Sequence, residues 1–437
     1  MNEQPIVIHK FGGSCLRDAS DIIQIAGVLE LEHQSRNIIV VSALWGTTDR
    51  LIRAANEPRY AGRLVSDLHS QHKRFSPTIE TSEFAEKYHK ILSGMEDSLS
   101  SLSQYPDDKI AYNRLLAAGE RLSALVVANE LRSFGYDSHP LGAEDIGICL
   151  KTINNHTEVD IEKTKLSLQH DMLFGLPIVT GWFGKGPDDN IALLSRGGSD
   201  HTASALSVVL DAERVILWKD VDGLYPLNPR WNISTRPLHY LGYGEALEFA
   251  CRDAPILHTG SIEPLMRHGI PLEIRNVFSY GKTRFSTIIG PDIHSFNGIK
   301  GIACVQHVAR ITVHHEGMNM NNAITMVKEI QDGQMLLYGL DVHGSTVSFI
   351  TSSSHLSKIQ SLVDQYSFSM TSKEYSAFIT LIGNGMNSFV IKDEEKVFQI
   401  AEHVFTTEHG LHFLTNSSQI QDELMSLHQL IQEQITN

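Results

Sequence analysis

Ser195-Arg196-Gly197-Gly198-Ser199-Asp200-His201-Thr202-Ala203 stands near the middle of a 437-residue chain. An apolar run, Leu176 to Val179, leads toward it through a Gly-, Lys- and Asp-rich segment from Gly181 to Asn190. A small-residue helix, Thr202 to Leu210, is expected after it. Two glycines between an arginine and a Ser-Asp pair predict a sharp turn into a helix start, with Asp200 or Ser199 as the capping side chain. Backbone N–H groups at such a turn favour an anion, and an arginine beside them offers a fork to a carboxylate or phosphate. Taken alone, the stretch reads more simply as a Gly-Gly turn with an ordinary cap and a surface arginine. The rest of the chain decides.

Working outward to the N-terminus, Pro5 to His9 reads as a short buried strand, followed by Lys10-Phe11-Gly12-Gly13-Ser14. An amphipathic helix is expected from about Asp18 to His33, with Ile22, Ile25, Ala26 and Leu29 on one face. Strand, Gly-Gly turn and helix is a geometry that seats phosphates, with Lys10 at the strand's end; a plain βα turn with a solvated lysine is the alternative. The spacing is neither GxxxxGK[ST] nor GxGxxG. Asn37 to Ser42 is a second buried strand, so the opening is a βαβ unit and the sheet is expected to be parallel. It ends in Ser42-Ala43-Leu44-Trp45-Gly46-Thr47-Thr48-Asp49, whose hydroxyls lie where open α/β sheets place ligands, or else cap a helix beginning near Thr48.

From about Asp49 to Phe134 the pattern is helical, broken at Ser103 to Asp108, and the clearest helix runs from about Ile110 to Phe134. Glu120 falls at the edge of its apolar stripe beside Leu116 and needs a partner: Arg121, a core hydrogen bond or a substrate ammonium. Glu213 to Lys219 is a further strand, running into the turn-rich Asp220-Val221-Asp222-Gly223-Leu224-Tyr225-Pro226-Leu227-Asn228-Pro229-Arg230. An aromatic ring at Tyr225 with Lys219 and Arg230 nearby suits a nucleotide's base and phosphates; a hairpin with a stacked tyrosine is the plainer alternative. Helices follow at Gly244 to Arg252 and His258 to His268, then strands at Pro271 to Asn276 and Thr287 to Gly290.

Beyond a linker at 291–300 the texture changes. Strand-like runs (Ile302 to His307, Ile311 to His315, Met335 to Leu340, Thr346 to Thr351) alternate with helices near Asn322 to Ile330 and His355 to Tyr366. A second round has Tyr375 to Gly383, a helix near Glu394 to Glu408, Leu411 to Leu414 and a last helix from about Gln419. Two βαββαβ-type rounds suggest tandem small α+β domains of ferredoxin-like kind.

Composition narrows the partners. A formal net charge of −15 argues against a nucleic-acid footprint, although local cations and Mg²⁺ suffice for a triphosphate. No run approaches the ~18 apolar residues of a membrane span. Cys15, Cys149, Cys251 and Cys304 show no CxxC spacing, the 22 histidines form no metal motif, and Met1 to Pro5 lacks the features of a signal peptide. A cytoplasmic protein with no metal cluster of its own is expected.

Lys10-Phe11-Gly12-Gly13-Ser14, Gly119-Glu120, the stretch Ser195 to Ala203 and Asp220-Val221-Asp222-Gly223-Leu224-Tyr225 occur in that order. Together they resemble the aspartate kinases, of the amino acid kinase fold, with tandem ACT domains after the catalytic part. The resemblance covers roughly residues 5 to 290 well and the C-terminal third weakly. It implies an α/β catalytic domain at 1–290, a mainly parallel sheet sandwiched by helices, and two ACT-like α+β domains at 301–437. It implies MgATP-dependent phosphorylation of the L-aspartate side-chain carboxylate to 4-phospho-L-aspartate, the first step toward lysine, threonine and methionine. No covalent enzyme intermediate is implied, so catalysis is positioning and charge stabilisation. On the same resemblance, Lys10 stabilises the transferred phosphoryl group, and Gly12, Gly13, Ser14 and Ser42 cradle phosphates. Arg196, with Gly197, Gly198 and Ser199, holds the substrate α-carboxylate, Glu120 takes its ammonium and Thr48 contacts it. Asp200 orients Lys10 or the substrate amine; Lys219, Asp220, Tyr225 and Arg230 line the ATP site. An allosteric homodimer paired through the ACT-like domains is implied too.

The departures matter. Cys15 stands where these kinases have serine, Asp49 where they have asparagine, and Lys219 and Asn228 change the nucleotide loop. Their Ala-Lys-Val-Leu-His-Pro becomes Ala254-Pro255-Ile256-Leu257-His258-Thr259, which loses a phosphate-contacting lysine that Lys219 is placed to replace. Gly317-Met318 and Gly383-Asn384-Gly385-Met386 resemble ACT starts, with Asn319 and Asn321 disturbing the first, and no effector follows from them. Three kinds of protein fit: an aspartate kinase, a related kinase acting on another amino acid carboxylate in a specialised pathway, and a catalytically impaired ligand-binding paralogue. Lys10, Glu120, Arg196 and Asp200 together speak against the last, since an inactive site has no physical need of all four.

Overall fold

The computed structural model describes residues 4–153, 156–195, 197–252, 256–283, 285–293, 298–314, 320–333, 335–388 and 401–436. Arg196, Pro255, Gly317, Met318 and Asn319 lie outside the described residues, as do 394–400 of the helix expected near Glu394 to Glu408. The chain forms two compact units. One is Met1–Leu224 with His239–Leu241 and His258–Pro291; the other is Tyr225–Leu238 with Gly242–Leu257 and Asp292–Asn437. The second unit therefore takes two segments from within the stretch the sequence assigns to 1–290.

The first unit is built on strands β1 (Ile6–Phe11), β2 (Arg36–Val41), β3 (Ser138–Leu141), β6 (Leu176–Thr180), β9 (Arg214–Lys219), β10 (Tyr240–Gly242), β11 (Leu272–Asn276) and β12 (Ser286–Gly290). Two small hairpins, β4 (Leu150–Ile153) with β5 (His156–Val159) and β7 (Phe183–Lys185) with β8 (Ile191–Leu193), stand apart from them. The sheet order is β10-β12-β11-β9-β1-β2-β6-β3. The pairs β1/β2, β1/β9, β2/β6, β3/β6 and β9/β11 are parallel, and β11/β12 is antiparallel. Central parallel strands are covered on both faces, which is why β2, β6 and β9 read as largely apolar runs and β1 buries even His9 and Lys10.

Alternation along those strands sorts the two faces. Val7, Phe11, Ile39, Val41, Ile216 and Trp218 join one core with helices α1 (Ser20–Leu31), α2 (Thr47–Asn56), α3 (Ala61–Phe75), α4 (Ala85–Gln104) and α5 (Lys109–Ser133). Trp218 stacks on Phe11 there at 5.9 Å between centroids. Ile8, Lys10, Leu217 and Lys219 occupy the alternate positions. The helix α5 starts at Asp108, whose carboxylate accepts from the N–H groups of Ile110 and Ala111, and buries most of its length. Truncating one such core leucine to alanine removes about 2–5 kcal/mol.

In the second unit one antiparallel sheet joins what the sequence presents as two rounds. Its strands are β13 (Gly298–His314), β14 (Gly339–His343), β15 (Thr346–Ser352), β16 (Ser369–Asn384), β17 (Ala401–Thr406) and β18 (Gly410–Thr415), in the order β14-β15-β13-β16-β18-β17. The runs Ile302 to His307 and Ile311 to His314 fall in one 17-residue strand, paired along its length with β16, while His315 lies outside the described residues. Among the described residues three buried clusters lie along it, one of them Val305, Val308, Tyr375, Phe378 and Leu414 with Tyr338 and Ile350. Ile302, Ile379, Leu381 and Phe413 pack with Leu424 and Leu427 of the last helix, Ile420–Thr436; Ile311, Val313, Val347 and Phe349 pack with Met326, Ile330, Ile359 and Val363. The helix expected near Glu394 to Glu408 is overturned over Ala401–Thr406, which is a strand. Pairing with β18 outweighs its helical periodicity, and Glu402 is held by Arg310 at 2.8 Å and by the Tyr375 hydroxyl at 2.6 Å.

Candidate active site

The carboxyl ends of β1, β2 and β9 meet at one edge of the first unit's sheet, where open α/β sheets hold ligands. In register, Lys10 pairs with Leu217 of β9 and with Val40 of β2. Lys219 lies two residues past Leu217, so the two-residue period points it to the same face as Lys10. A helix closes the arrangement: after the short α6 (Ile161–Ser167), α7 (Gly198–Val209) brings Asp200 onto both. Lys10 Nζ lies 2.6 Å from Asp200 Oδ1, and Lys219 Nζ lies 3.0 Å from Oδ2. Burial would raise the Asp200 carboxyl, but the two ammonium groups outweigh it and hold it well below the usual carboxylate range. The Lys10 ammonium is pushed below its ordinary value by burial and by Lys219, against the pull of Asp200.

The turn into α7 differs from the sequence expectation in one respect. The residue before the helix is Gly197, in the left-handed region at φ 79°, and no side chain caps it. A side chain at Gly197 would strike the His258 ring, so close packing as well as backbone twist requires glycine there. Asp200 is thus free of capping duty because it is committed to the lysines, and the helix begins four residues earlier than Thr202. Ser199 is buried against Gly181.

The Gly12–Gly13 turn lies beside Lys10. A Cβ on Gly12 would come within 3.1 Å of Lys10 Nζ, and one on Gly13 within 3.1 Å of the Ala43 carbonyl. Ser14 follows in a short 3-10 turn, Gly13–Cys15, and Ser42 is tied through its N–H to the Phe11 carbonyl at 3.1 Å. The helix α2 is preceded by Gly46 at φ 71° with no side-chain cap, so the expectation that hydroxyls cap it fails; Thr47 is fully buried and Thr48 half-buried. Asp220 is bonded to Arg17 at 2.6 Å, and Arg17 lies over the rings of Trp45 and Phe278.

Glu120 is 2% exposed and accepts from the Ala43 N–H at 3.2 Å through Oε1. Its Oε2 is buried with no hydrogen-bond partner among the described residues. Arg121, a partner weighed from the sequence, instead pairs with Glu144. Burial pushes the Glu120 carboxyl up to about 8, offset in part by the Ala43 N–H and the charge of Lys10.

Lys10, Gly12, Gly13, Ser14, Ser42, Thr48, Glu120, Gly197, Gly198, Ser199, Asp200, Lys219 and Asp220 all lie in the first unit, and Lys10, Asp200 and Lys219 meet directly. Tyr225 and Arg230 belong to the second unit, where Arg230 donates to the Cys304 carbonyl at 3.1 Å and lies over Trp231. The hairpin considered around Tyr225 does not form; the segment ends in a 3-10 turn, Pro229–Trp231. Arg17, Trp182 and His258 were not singled out from the sequence. Trp182, at φ 72°, donates its N–H to the Thr202 hydroxyl and its indole N–H to the Leu194 carbonyl, bracing the turn before α7. No local pattern marks any of the three, since each gains its place from a partner far along the chain.

A parallel sheet whose carboxyl edge carries two lysines on one aspartate, beside a Gly-Gly turn, defines a class. Residues 5–276 match the amino acid kinase family, and the chain belongs to that family. Among curated proteins it is similar to the chloroplastic bifunctional aspartokinase/homoserine dehydrogenase 2 of Arabidopsis thaliana, 28% identical over 71% of this chain and 36% of that protein. It is also similar to the aspartokinase of Rickettsia felis, 26% identical over 75% of each chain. The chain thus spans about a third of the length of the bifunctional plant relatives, 36% of the first. Among solved structures it resembles E. coli aspartokinase III in complex with aspartate and ADP, with TM-score 0.81, 21% identity and coverage of 98% and 99% of the two chains. The aspartate kinase of Clostridium acetobutylicum aligns with TM-score 0.69 at 18% identity over 98% of this chain and 100% of that one. At these identities the structures establish the fold.

Proposed function

We propose that the chain is an aspartate kinase, transferring the γ-phosphoryl group of ATP to the side-chain carboxylate of L-aspartate. One observation carries the choice of an amino acid as acceptor: Glu120, a buried carboxylate with an orphan oxygen, within electrostatic reach of Lys10. A half-satisfied buried carboxylate is stabilised by an ammonium, and the α-ammonium of an amino acid supplies one. The phosphate side is met by Lys10 and the bare Gly12–Gly13 turn, where a side chain would intrude. Arg196, as the residue before Gly197, is the candidate for the α-carboxylate, with Gly198, Ser199 and Thr48 beside the same substrate. Lys219 and Asp220 remain candidates for the nucleotide, and Ser42 for its phosphates.

In this scheme the aspartate carboxylate oxygen bonds to phosphorus as the bond to the ADP oxygen breaks, and no side chain forms a covalent intermediate. The chain's residues orient the acceptor at Glu120 and offset charge on the transferred group at Lys10. Among the described residues no group of three or more His, Cys, Asp or Glu is arranged to hold a metal ion. Mg²⁺ would therefore come with the nucleotide's phosphates, as it commonly does, and neutralise part of their charge.

Regulation, a homodimer and the catalytic and ACT-like domain roles are proposed on the same footing. In support of the dimer, β14 is an edge strand with Leu336 and Leu340 exposed nearby. No helix among the described residues is long and apolar enough to cross a membrane. A cytoplasmic setting is proposed on the four cysteines, all of them free.

The test is trapping of the acyl phosphate with hydroxylamine, with MgATP and a panel of amino acids. Hydroxamate with aspartate is expected. Hydroxamate with another amino acid alone would replace aspartate as the acceptor, and none across the panel would overturn the kinase.

A further inference from the structure

We propose that Lys219 is the second phosphate-side cation of this site, held against Asp200 so that the buried cluster presents a net positive charge to the nucleotide. This deepens the kinase proposal above and rests on it.

Adjacent parallel strands place Lys10 and Lys219 on one sheet face, and Asp200 divides its two oxygens between them at 2.6 and 3.0 Å. Lys10 with Asp200 alone would be a neutral pair, with no net pull on an anion. Lys219 makes the cluster cationic where the side chains of Lys10, Asp200 and Lys219 are only 7, 5 and 16% exposed. A buried net charge is costly unless something opposes it. Among the described residues neither lysine has a second carboxylate in ion-pair range, and Asp220, next to Lys219, is committed to Arg17. The neighbouring Cys15 thiol is no counter-charge, because burial pushes it up to about 11. The missing anion is then external, and the bare Gly12 beside Lys10 Nζ leaves room for it. A phosphate fits better than the acceptor's carboxylate: Lys219 sits at the end of β9, whereas Glu120 is anchored through Ala43 at the end of β2.

The full-length protein carrying Lys219→Met or Lys219→Arg tests this, with MgADP binding by titration calorimetry as a readout independent of turnover. Lys219→Met should weaken MgADP by about tenfold to a hundredfold, the loss expected for one charge-assisted contact. Lys219→Arg should restore most of that affinity, and the KM for aspartate should stay within about twofold of wild type. The alkaline limb of the kcat profile should move upward in Lys219→Met, because Lys219 helps depress the Lys10 ammonium. The other charged or titratable groups facing Lys10, namely Asp200, Cys15 and Glu120, are unchanged. Unaltered MgADP affinity in a folded Lys219→Met protein would overturn the proposal, as would a change confined to the aspartate KM. If Lys219→Met does not fold, Lys219→Gln, which keeps a donor for Asp200, takes its place under the same criteria. Wild-type protein that binds MgADP yet yields no acyl phosphate would defeat the kinase proposal while leaving the role of Lys219 to be decided by the binding data.

Discussion

Asp200 and Glu120 are two carboxylates buried to similar depth in the same unit, 4% and 2% exposed, and the structure treats them in opposite ways. Asp200 has a lysine on each oxygen and is held ionised, well below the usual range. Glu120 has one backbone N–H on one oxygen, nothing on the other, and is pushed up to about 8. Burial is common to both, so the number of cationic partners decides the charge state. Around Asp200 the carboxylate has both its partners within the chain, and the cluster carries surplus positive charge. The end around Glu120 is incomplete and lacks a cation. Under the kinase proposal, a phosphate donor and an amino acid acceptor would correct the two imbalances from opposite sides.

The largest effect should follow from breaking the completed end. Asp200→Asn removes the counter-charge of two buried ammonium groups, and breaking a buried pair this way typically destabilises by about 3–5 kcal/mol. The kcat should fall by about a hundredfold or more, since Lys10 loses its anchor where charge develops. Chemical denaturation and steady-state assays together check this. A stable Asp200→Asn protein with wild-type kcat would show that the lysines do not depend on Asp200.

The unfinished end should respond more mildly and in a different parameter. Glu120→Gln preserves the acceptor for the Ala43 N–H and removes the charge offered to the substrate ammonium. The KM for the amino acid should rise by about ten- to a hundredfold, with the KM for ATP nearly unchanged. An equal rise in both would mean that Glu120 supports the whole sheet edge and does not select the acceptor.

How much of this was legible in the sequence follows the same division. The strands β1, β2 and β9, the long α5 and the Gly-Gly turns are local signals, and they appear within a few residues of where pattern and turn chemistry put them. Glu120 was recognisable as a carboxylate out of place on an apolar stripe. Its true partner was not, because Ala43 comes from a loop 77 positions away and Arg121, the sequence neighbour, turns to Glu144. The capping role expected of Asp200 failed for a related reason: helix starts favour Asp by default, but adjacency of β1 and β9, more than 200 positions apart in sequence, supplies two stronger partners. The second unit was less legible still. Its long strands β13 and β16 each serve more than one core, so neither round of the pattern keeps a core to itself, and β17 has helical periodicity overridden by its pairing with β18.

The smallest effect is the most direct measure of the difference between the carboxylates, and it needs no turnover. The folded-state Glu120 carboxyl sits near 8 against an ordinary value of 4.5, so between those pH values the folded protein binds a proton that the unfolded chain has released. Stability must then fall as pH rises across that window and level off above it, by about a few kcal/mol at most. Asp200 has the opposite sign: its folded value is depressed, so its contribution is present above the ordinary carboxylate range and is lost only as pH falls through the strongly acidic region. The melting temperature of wild type relative to Glu120→Gln should therefore decline by a few degrees, about 1 °C per kcal/mol for a chain of this size, between pH 5 and pH 8. Saturating aspartate at pH 8 should recover much of the difference in wild type and little in Glu120→Gln, because a bound ammonium lets Glu120 ionise without penalty. Parallel melting curves for the two proteins over that range, with no recovery on adding aspartate, would mean that the Glu120 carboxylate is already satisfied in solution and that the contrast with Asp200 does not exist.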